Sequence, residues 1–242
     1  MHHTTHLVVD VSGHGYGHAA MTVPVLNELR RHHSNLKFTI RSTVPSRWFS
    51  ERLLGPFDYI PEADFGLIMG DPITVLAGKT MSAYATLHAH WPEAIKLAAS
   101  KLSALKPTLV LSNISYLSLA AAHRCDIPSV AMSSVNWADV FYLYCGEYPG
   151  SQEIVAQMTE AYAAAELFLQ PGPVMPMQRI TNARRIGPIA LVGADRKIEL
   201  RDHLGVDPER AVILMAMGGS RQRYHVPRGL ASTATKCCAV QL

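Results

Sequence analysis

Two histidines set among three glycines are the residues of this chain best suited to chemistry. They fall in Val11-Ser12-Gly13-His14-Gly15-Tyr16-Gly17-His18, close to the N-terminus. Imidazole exchanges a proton near neutral pH, and glycine lets a backbone approach a ligand closely. His18 opens a helical run, where the dipole disfavours imidazolium, so a neutral base is the form expected there. The spacing is not that of a dinucleotide fingerprint. Gly13, Gly15 and Gly17 alternate, His18 stands where a third glycine would be, and Arg41-Ser42-Thr43 replaces the acidic residue wanted after the next strand. A Gly-Lys-Ser/Thr ending is also missing, which excludes a Walker loop.

The elements around this loop must place it. Leu7-Val8-Val9-Asp10-Val11 reads as a buried strand, and Met21, Val25, Leu26 and Leu29 recur at helical spacing over 18–32, with a bend or a restart of the helix expected near Pro24. Strand, glycine turn and helix together present backbone N–H groups to an anion or a sugar. Further strands are predicted at 36–40, 57–60, 108–113, 129–133, 167–169 and 211–217. Helices are predicted at 45–54, 80–90, 92–106, 117–123, 151–165 (with Ser151 as cap) and 199–204. Residues 62–80 read as a long loop with little regular structure. Alternating strands and helices, with continuous apolar strands, indicate a mainly parallel sheet.

Other polar residues compete as site members. Asn113 ends its strand on the carboxyl side, where open sheets bind ligands. Asn136, Trp137 and Asp139 combine a flat ring with polar groups suited to a sugar. Asp64 and Asp71 lie in the long loop. His88 and His90 are two apart and face different ways on a helix, and His14 and His18, with Asp10 nearby, lack a convincing third ligand, so no metal site is expected.

Composition narrows the class. The chain has 242 residues, 48% hydrophobic and 17% charged, with a net charge of +3. This suits a folded core and gives no argument for nucleic acid. No apolar run reaches the ~20 residues a membrane span needs, which leaves room only for peripheral membrane contact. Cys125, Cys145, Cys237 and Cys238 lack metal spacing and read as free thiols, so a cytoplasmic location is expected.

Gly13-His14-Gly15-Tyr16-Gly17-His18-Ala19 resembles the N-terminal signature of GT-B glycosyltransferases related to the enzyme that makes lipid II. It is closer still to the glycosyltransferase-like N-terminal domain of bacterial and plant L-arabinokinases. Ser134-Val135-Asn136-Trp137-Ala138-Asp139 with Tyr142 resembles an Asn-x-x-Trp-Asp segment of the second group, with Trp and Asp displaced. Ile186-Gly187-Pro188 is similar to the strand joining two GT-B domains, and Val212–Ser220 to the opening strand and Gly-Gly-Ser turn of the donor domain.

The resemblance implies an α/β fold: a Rossmann-like, doubly wound, mainly parallel sheet over 1–189. The start of an incomplete donor-side domain is expected at 190–220 and an irregular tail at 221–242, so the chain is expected to be C-terminally truncated. It implies sugar transfer from a nucleotide-sugar co-substrate to an acceptor, with no other cofactor. His18 is then the catalytic residue. Gly13, His14, Gly15, Tyr16 and Gly17, with Gly218, Gly219 and Ser220, are the expected donor-binding residues. Asn113, Asn136, Trp137 and Asp139 are the expected substrate contacts. A non-catalytic sugar- or nucleotide-binding module and a nucleotide-sugar 2-epimerase are the alternatives, although no convincing carboxylate pair for epimerisation stands out.

Overall fold

The computed structural model describes residues 5–33, 35–62, 66–71, 73–207, 209–215 and 235–239. The chain divides into two compact units, Met1–Ala190 and Leu191–Leu242.

The first unit is built on a seven-stranded sheet. Its strands are β1 (Thr5–Val11), β2 (Leu36–Arg41), β3 (Asp58–Ile60), β6 (Leu109–Asn113), β7 (Ser129–Met132), β8 (Leu167–Pro171) and β9 (Ala183–Ile186), in the order β3-β2-β1-β6-β7-β8-β9. Every pairing in the sheet is parallel. β1 lies between β2 and β6, so the winding reverses there, and the carboxyl ends of β1 and β6 flank a topological switch point. Val11 and Asn113 are register partners at that edge.

Both faces are covered, which is why β1 and β6 read as continuous apolar runs. On one face, Leu7, Val9 and Val11 pack with Val23 and Leu26 of α1 (Gly17–His32) and with Phe38, Ile40 and Phe49, the last from α2 (Ser46–Ser50). On the other, Val8 and Val110 pack with Ala99 and Leu102 of α4 (Trp91–Ala104) and Ala121 and Ala122 of α5 (Tyr116–Arg124). A third cluster joins α3 (Ala77–Ala89), α6 (Trp137–Cys145) and α7 (Ser151–Ala163) through Tyr84, Phe141, Met158 and Tyr162.

Several elements differ from the sequence reading. α1 is one continuous helix through Pro24 and does not restart there, at the loss of one backbone hydrogen bond. Within the expected loop lies a hairpin, β4 (Met69–Asp71) with β5 (Thr74–Val75). Asp71 closes its turn, Oδ1 accepting from Ile73 N–H and Oδ2 from the Thr74 hydroxyl, so it is a turn residue. Asp64 lies outside the described residues. α6 has no apolar periodicity to announce it, because Trp-Ala-Asp-Val-Phe-Tyr-Leu-Tyr-Cys is apolar on almost every side. Ser151 is not a cap: Gly150 (φ +80°) holds that position, and the Ser151 hydroxyl donates to the Gly146 carbonyl at 2.9 Å.

The second unit contains α8 (Lys197–Leu204), ended by Gly205 at φ +57°, and the parallel pair β10 (Ala211–Met215) and β11 (Thr235–Ala239). β11 falls in the stretch expected to be irregular. Thr-Lys-Cys-Cys-Ala is too short and mixed to show a period, and its pairing with β10 defines it. Gly218, Gly219 and Ser220 lie outside the described residues. No helix among the described residues is long and apolar enough to cross a membrane.

Candidate active site

Gly13 leaves β1 where a Cβ would stand 1.7 Å from Thr43 Oγ1, so the turn passes too close to the β2 loop for a side chain. The Gly15 N–H donates to the Gly13 carbonyl at 2.8 Å, and Gly15 sits at φ +82°. Tyr16 precedes α1 with its ring stacked on Trp48, centroids 5.9 Å apart. No side chain caps the helix N-terminus, so its first N–H groups lack an internal side-chain acceptor.

This path delivers His18 to Asn113. Nδ1 of His18 lies 2.9 Å from Asn113 Oδ1, and Asn113 is fully buried. The amide nitrogen of Asn113 donates to the His18 carbonyl (3.1 Å) and to Thr22 Oγ1 (2.9 Å), whose hydroxyl donates to the same carbonyl (2.8 Å). Both N–H groups of the amide are therefore committed, its oxygen must accept, and Nδ1 of His18 must be the protonated nitrogen. Nε2 then carries the lone pair. Burial lowers the His18 pKa below the ordinary histidine value; the Asn113 hydrogen bond opposes this and nearby His14 adds to it. Burial thus favours the neutral ring, and Asn113 selects its tautomer.

The residue after Asn113 is strained. Ile114 is β-branched and fully buried, yet adopts φ +82°. Its carbonyl accepts from Tyr162 Oη at 2.7 Å, and the Asn113 carbonyl accepts from Ser12 N–H at 3.2 Å, which together hold the strand end in place.

Trp137 and the segment Gly66–Leu67 close the site from the other side. The Trp137 ring meets His14 edge-on at 5.2 Å and His18 at 6.2 Å. A Cβ on Gly66 would stand 2.4 Å from the Trp137 ring and 2.9 Å from His14. His14 Nε2 lies 3.2 Å from the Leu67 carbonyl, so that nitrogen carries the proton.

The expected site residues thus separate. His14, His18, Asn113 and Trp137 converge, with Gly13, Gly15, Tyr16 and Gly17 shaping the turn. Asn136 is instead the N-cap of α6: Oδ1 accepts from Asp139 N–H (2.8 Å) and Nδ2 donates to Asp139 Oδ2 (2.7 Å). Asp139 also holds Arg179 at 2.5 Å, so both residues are occupied within the protein. Trp137 is only 3% exposed and works as a wall. Thr22, Gly66 and Leu67 were not anticipated. Thr22 could have been, since it lies four residues from His18 on one helix face.

Among the described residues no cluster of His, Cys, Asp and Glu could hold a metal. His88 is bound at both nitrogens, to Gln157 Oε1 (2.6 Å) and Tyr116 Oη (3.0 Å), and Asp10 is paired with Arg41.

Solved structures share this architecture. A UDP-glucosyltransferase from Polygonum tinctorium superposes with TM-score 0.52 at 15% identity, over 89% of this chain and 60% of that one. The fold is GT-B. A UDP-N-acetylglucosamine 2-epimerase from Listeria monocytogenes, described as putative, matches the same GT-B frame with TM-score 0.50 at 12% identity, over 95% and 56% of the two chains. In sequence, the chain is 22% identical to the L-arabinokinase of Arabidopsis thaliana over 232 residues, 94% of this chain but 22% of that protein. It thus spans about a fifth of that relative and somewhat over half of each GT-B structure. No protein-family model matches.

Proposed function

We propose that this chain is the acceptor-side domain of a nucleotide-sugar-dependent glycosyltransferase, with His18 as its base. The observation that carries this is the Asn113 network, which fixes a proton on Nδ1 and so makes Nε2 the basic nitrogen of the neutral ring, at the switch point of a GT-B sheet. In the proposed step Nε2 takes the proton of an acceptor hydroxyl as its oxygen bonds to the anomeric carbon. The bond from that carbon to the diphosphate breaks, and the nucleoside diphosphate leaves with the electron pair. The uncapped N-terminus of α1 suits the developing negative charge. Gly218-Gly219-Ser220 is assigned to the donor diphosphate on the strength of the sequence resemblance. The reading places the protein in the cytoplasm, consistent with free thiols at Cys125 and Cys145.

Two alternatives make different demands. An epimerase needs carboxylates free for elimination chemistry, whereas Asp10 is paired with Arg41 and Asp139 with Arg179. A non-catalytic sugar- or nucleotide-binding module is favoured by one observation, the likeness to a small part of L-arabinokinase. Product analysis and calorimetry with UDP- and GDP-sugars separate these readings. In a complete homologous chain that carries both GT-B domains, transfer predicts a glycosylated product and a ~10²–10⁴-fold loss of turnover in the variant of the residue matching His18, His18→Ala, with donor affinity kept. Binding without turnover supports the module, and full turnover in His18→Ala overturns the assignment.

A further inference from the structure

The sheet carries a second polar site on its other face. Asp10 and Arg41 are register partners near the carboxyl ends of β1 and β2, and their side chains form a bidentate pair: Nε to Oδ1 and Nη2 to Oδ2, each 2.5 Å. Both are buried, with side chains 7% and 5% exposed. Arg41 Nη1 also donates to Glu62 Oε2 (3.0 Å) and Nη2 to Ser118 Oγ (3.2 Å), while Lys101 Nζ holds Glu62 Oε1 at 2.6 Å. The group lies at one side of a cleft of about 230 Å³, which Ser115, Tyr116 and Ser118 of the α5 start also line. We propose that this cleft binds a neutral, monosaccharide-sized polyol.

The charges argue for the ligand's chemistry. Asp10 and Glu62 are balanced by Arg41 and Lys101, so the cleft has no excess charge to recruit an anion or a cation. Further along this face Val8 of β1 and Val110 of β6 are apolar, and the buried His6 and Thr39 pair with each other, Nε2 to Oγ1 at 2.8 Å. A buried ion pair adds little stability over apolar residues of similar volume. Its position beside an open cleft is what distinguishes it. Arg41 commits four of its five N–H groups to Asp10, Glu62 and Ser118; the one left on Nη1, with the remaining lone pairs of Asp10 and of two serine oxygens 3.1 Å apart, sets a donor beside acceptors, the pattern that vicinal hydroxyl groups require.

The remaining walls suit the other side of such a ring. Leu87, Ala98 and Tyr116 give an apolar surface for C–H groups. Size limits the occupant, because drug-sized ligands fill pockets of roughly 300–1,000 Å³, and 230 Å³ is below that range. The cleft shares its edge with His18 but lies across the sheet from it. Its occupancy therefore does not depend on the transfer reading.

The test is a ligand titration followed by ¹H–¹⁵N NMR, without any nucleotide-sugar. The probes are xylose, ribose, glucose and galactose, against glucuronate and glucose 6-phosphate. At least one neutral sugar should bind at millimolar concentration and shift the Arg41 Nε–H and the Ser118 amide, with charged analogues at least tenfold weaker. Ala98→Leu fills the cleft and Ser118→Val removes a hydroxyl. Each should weaken binding at least tenfold, and thermal unfolding shows which variant stays folded. The proposal is overturned if no neutral sugar binds, if charged analogues bind equally well, or if a folded filling variant binds like the parent. Failure here leaves the transfer reading intact, and loss of transfer without loss of binding does the reverse.

Discussion

His18 and Asn113, 95 residues apart in sequence, meet through two hydrogen bonds in opposite directions. The ring donates to the amide oxygen, and the amide nitrogen donates to the histidine's own carbonyl. The side chain that selects the tautomer therefore also anchors the helical turn that presents the ring.

Asn113→Asp tests this arrangement. A carboxylate still accepts from Nδ1–H but cannot donate to Thr22 or to the His18 carbonyl, and its charge favours imidazolium. The His18 pKa, followed by NMR, should rise relative to the parent. A lower or unchanged value would mean that Asn113 does not control the ring.

The three glycines of the turn should respond differently to alanine. Gly13→Ala forces a contact with Thr43 and should cost ~1–3 kcal/mol, part of which Thr43→Ala restores. Gly15→Ala must hold φ +82° and should cost ~1 kcal/mol. Gly17→Ala meets nothing within 4 Å in the first turn of α1 and should be neutral or stabilising by up to about 1 kcal/mol. Urea denaturation of the three variants checks the order.

Stability should fall on acidification. Burial lowers the pKa of both His18 and His88, against opposing hydrogen bonds to Asn113 and Gln157. The unfolded chain, whose histidines titrate near 6.5, then binds more protons than the folded one. Their contribution is fully present above about pH 7 and is lost as pH falls below about 6.5 toward the folded values. Urea midpoints between pH 8 and 5 should decline below that point, less steeply in His88→Phe. A midpoint that rises on acidification would contradict this.

Asn136→Ala separates a cap from a ligand contact. Losing the α6 cap should cost about 0.5–2 kcal/mol in unfolding experiments, while affinity for nucleotide-sugars stays within twofold. A selective loss of affinity at unchanged stability would restore Asn136 to the binding site.

The legible and illegible parts differ in physical kind. β1, the glycine turn and α1 announce themselves because apolar continuity, glycine spacing and helical period change in quick succession. Asn113 follows from its place at a strand end. Asn136, Trp137 and Asp139 carry types that suit a sugar equally well, and only the contacts show two of them capping a helix and the third lining a wall. That cap has a local signal, Asn at the N-cap with an acid three residues on, which would have found α6 where periodicity could not. Gly66 and Leu67 have no such signal. Their role arises from packing against His14 and Trp137, whose proximity is a property of the folded chain.

The central claim is a neutral His18 with its proton on Nδ1, and long-range ¹H–¹⁵N correlation of the histidine rings at pH 7 measures it directly. The predicted result is a protonated, pyrrole-type Nδ1 and a pyridine-type Nε2, with the pattern lost in Asn113→Leu. A proton on Nε2, or an imidazolium at this pH, would contradict the account.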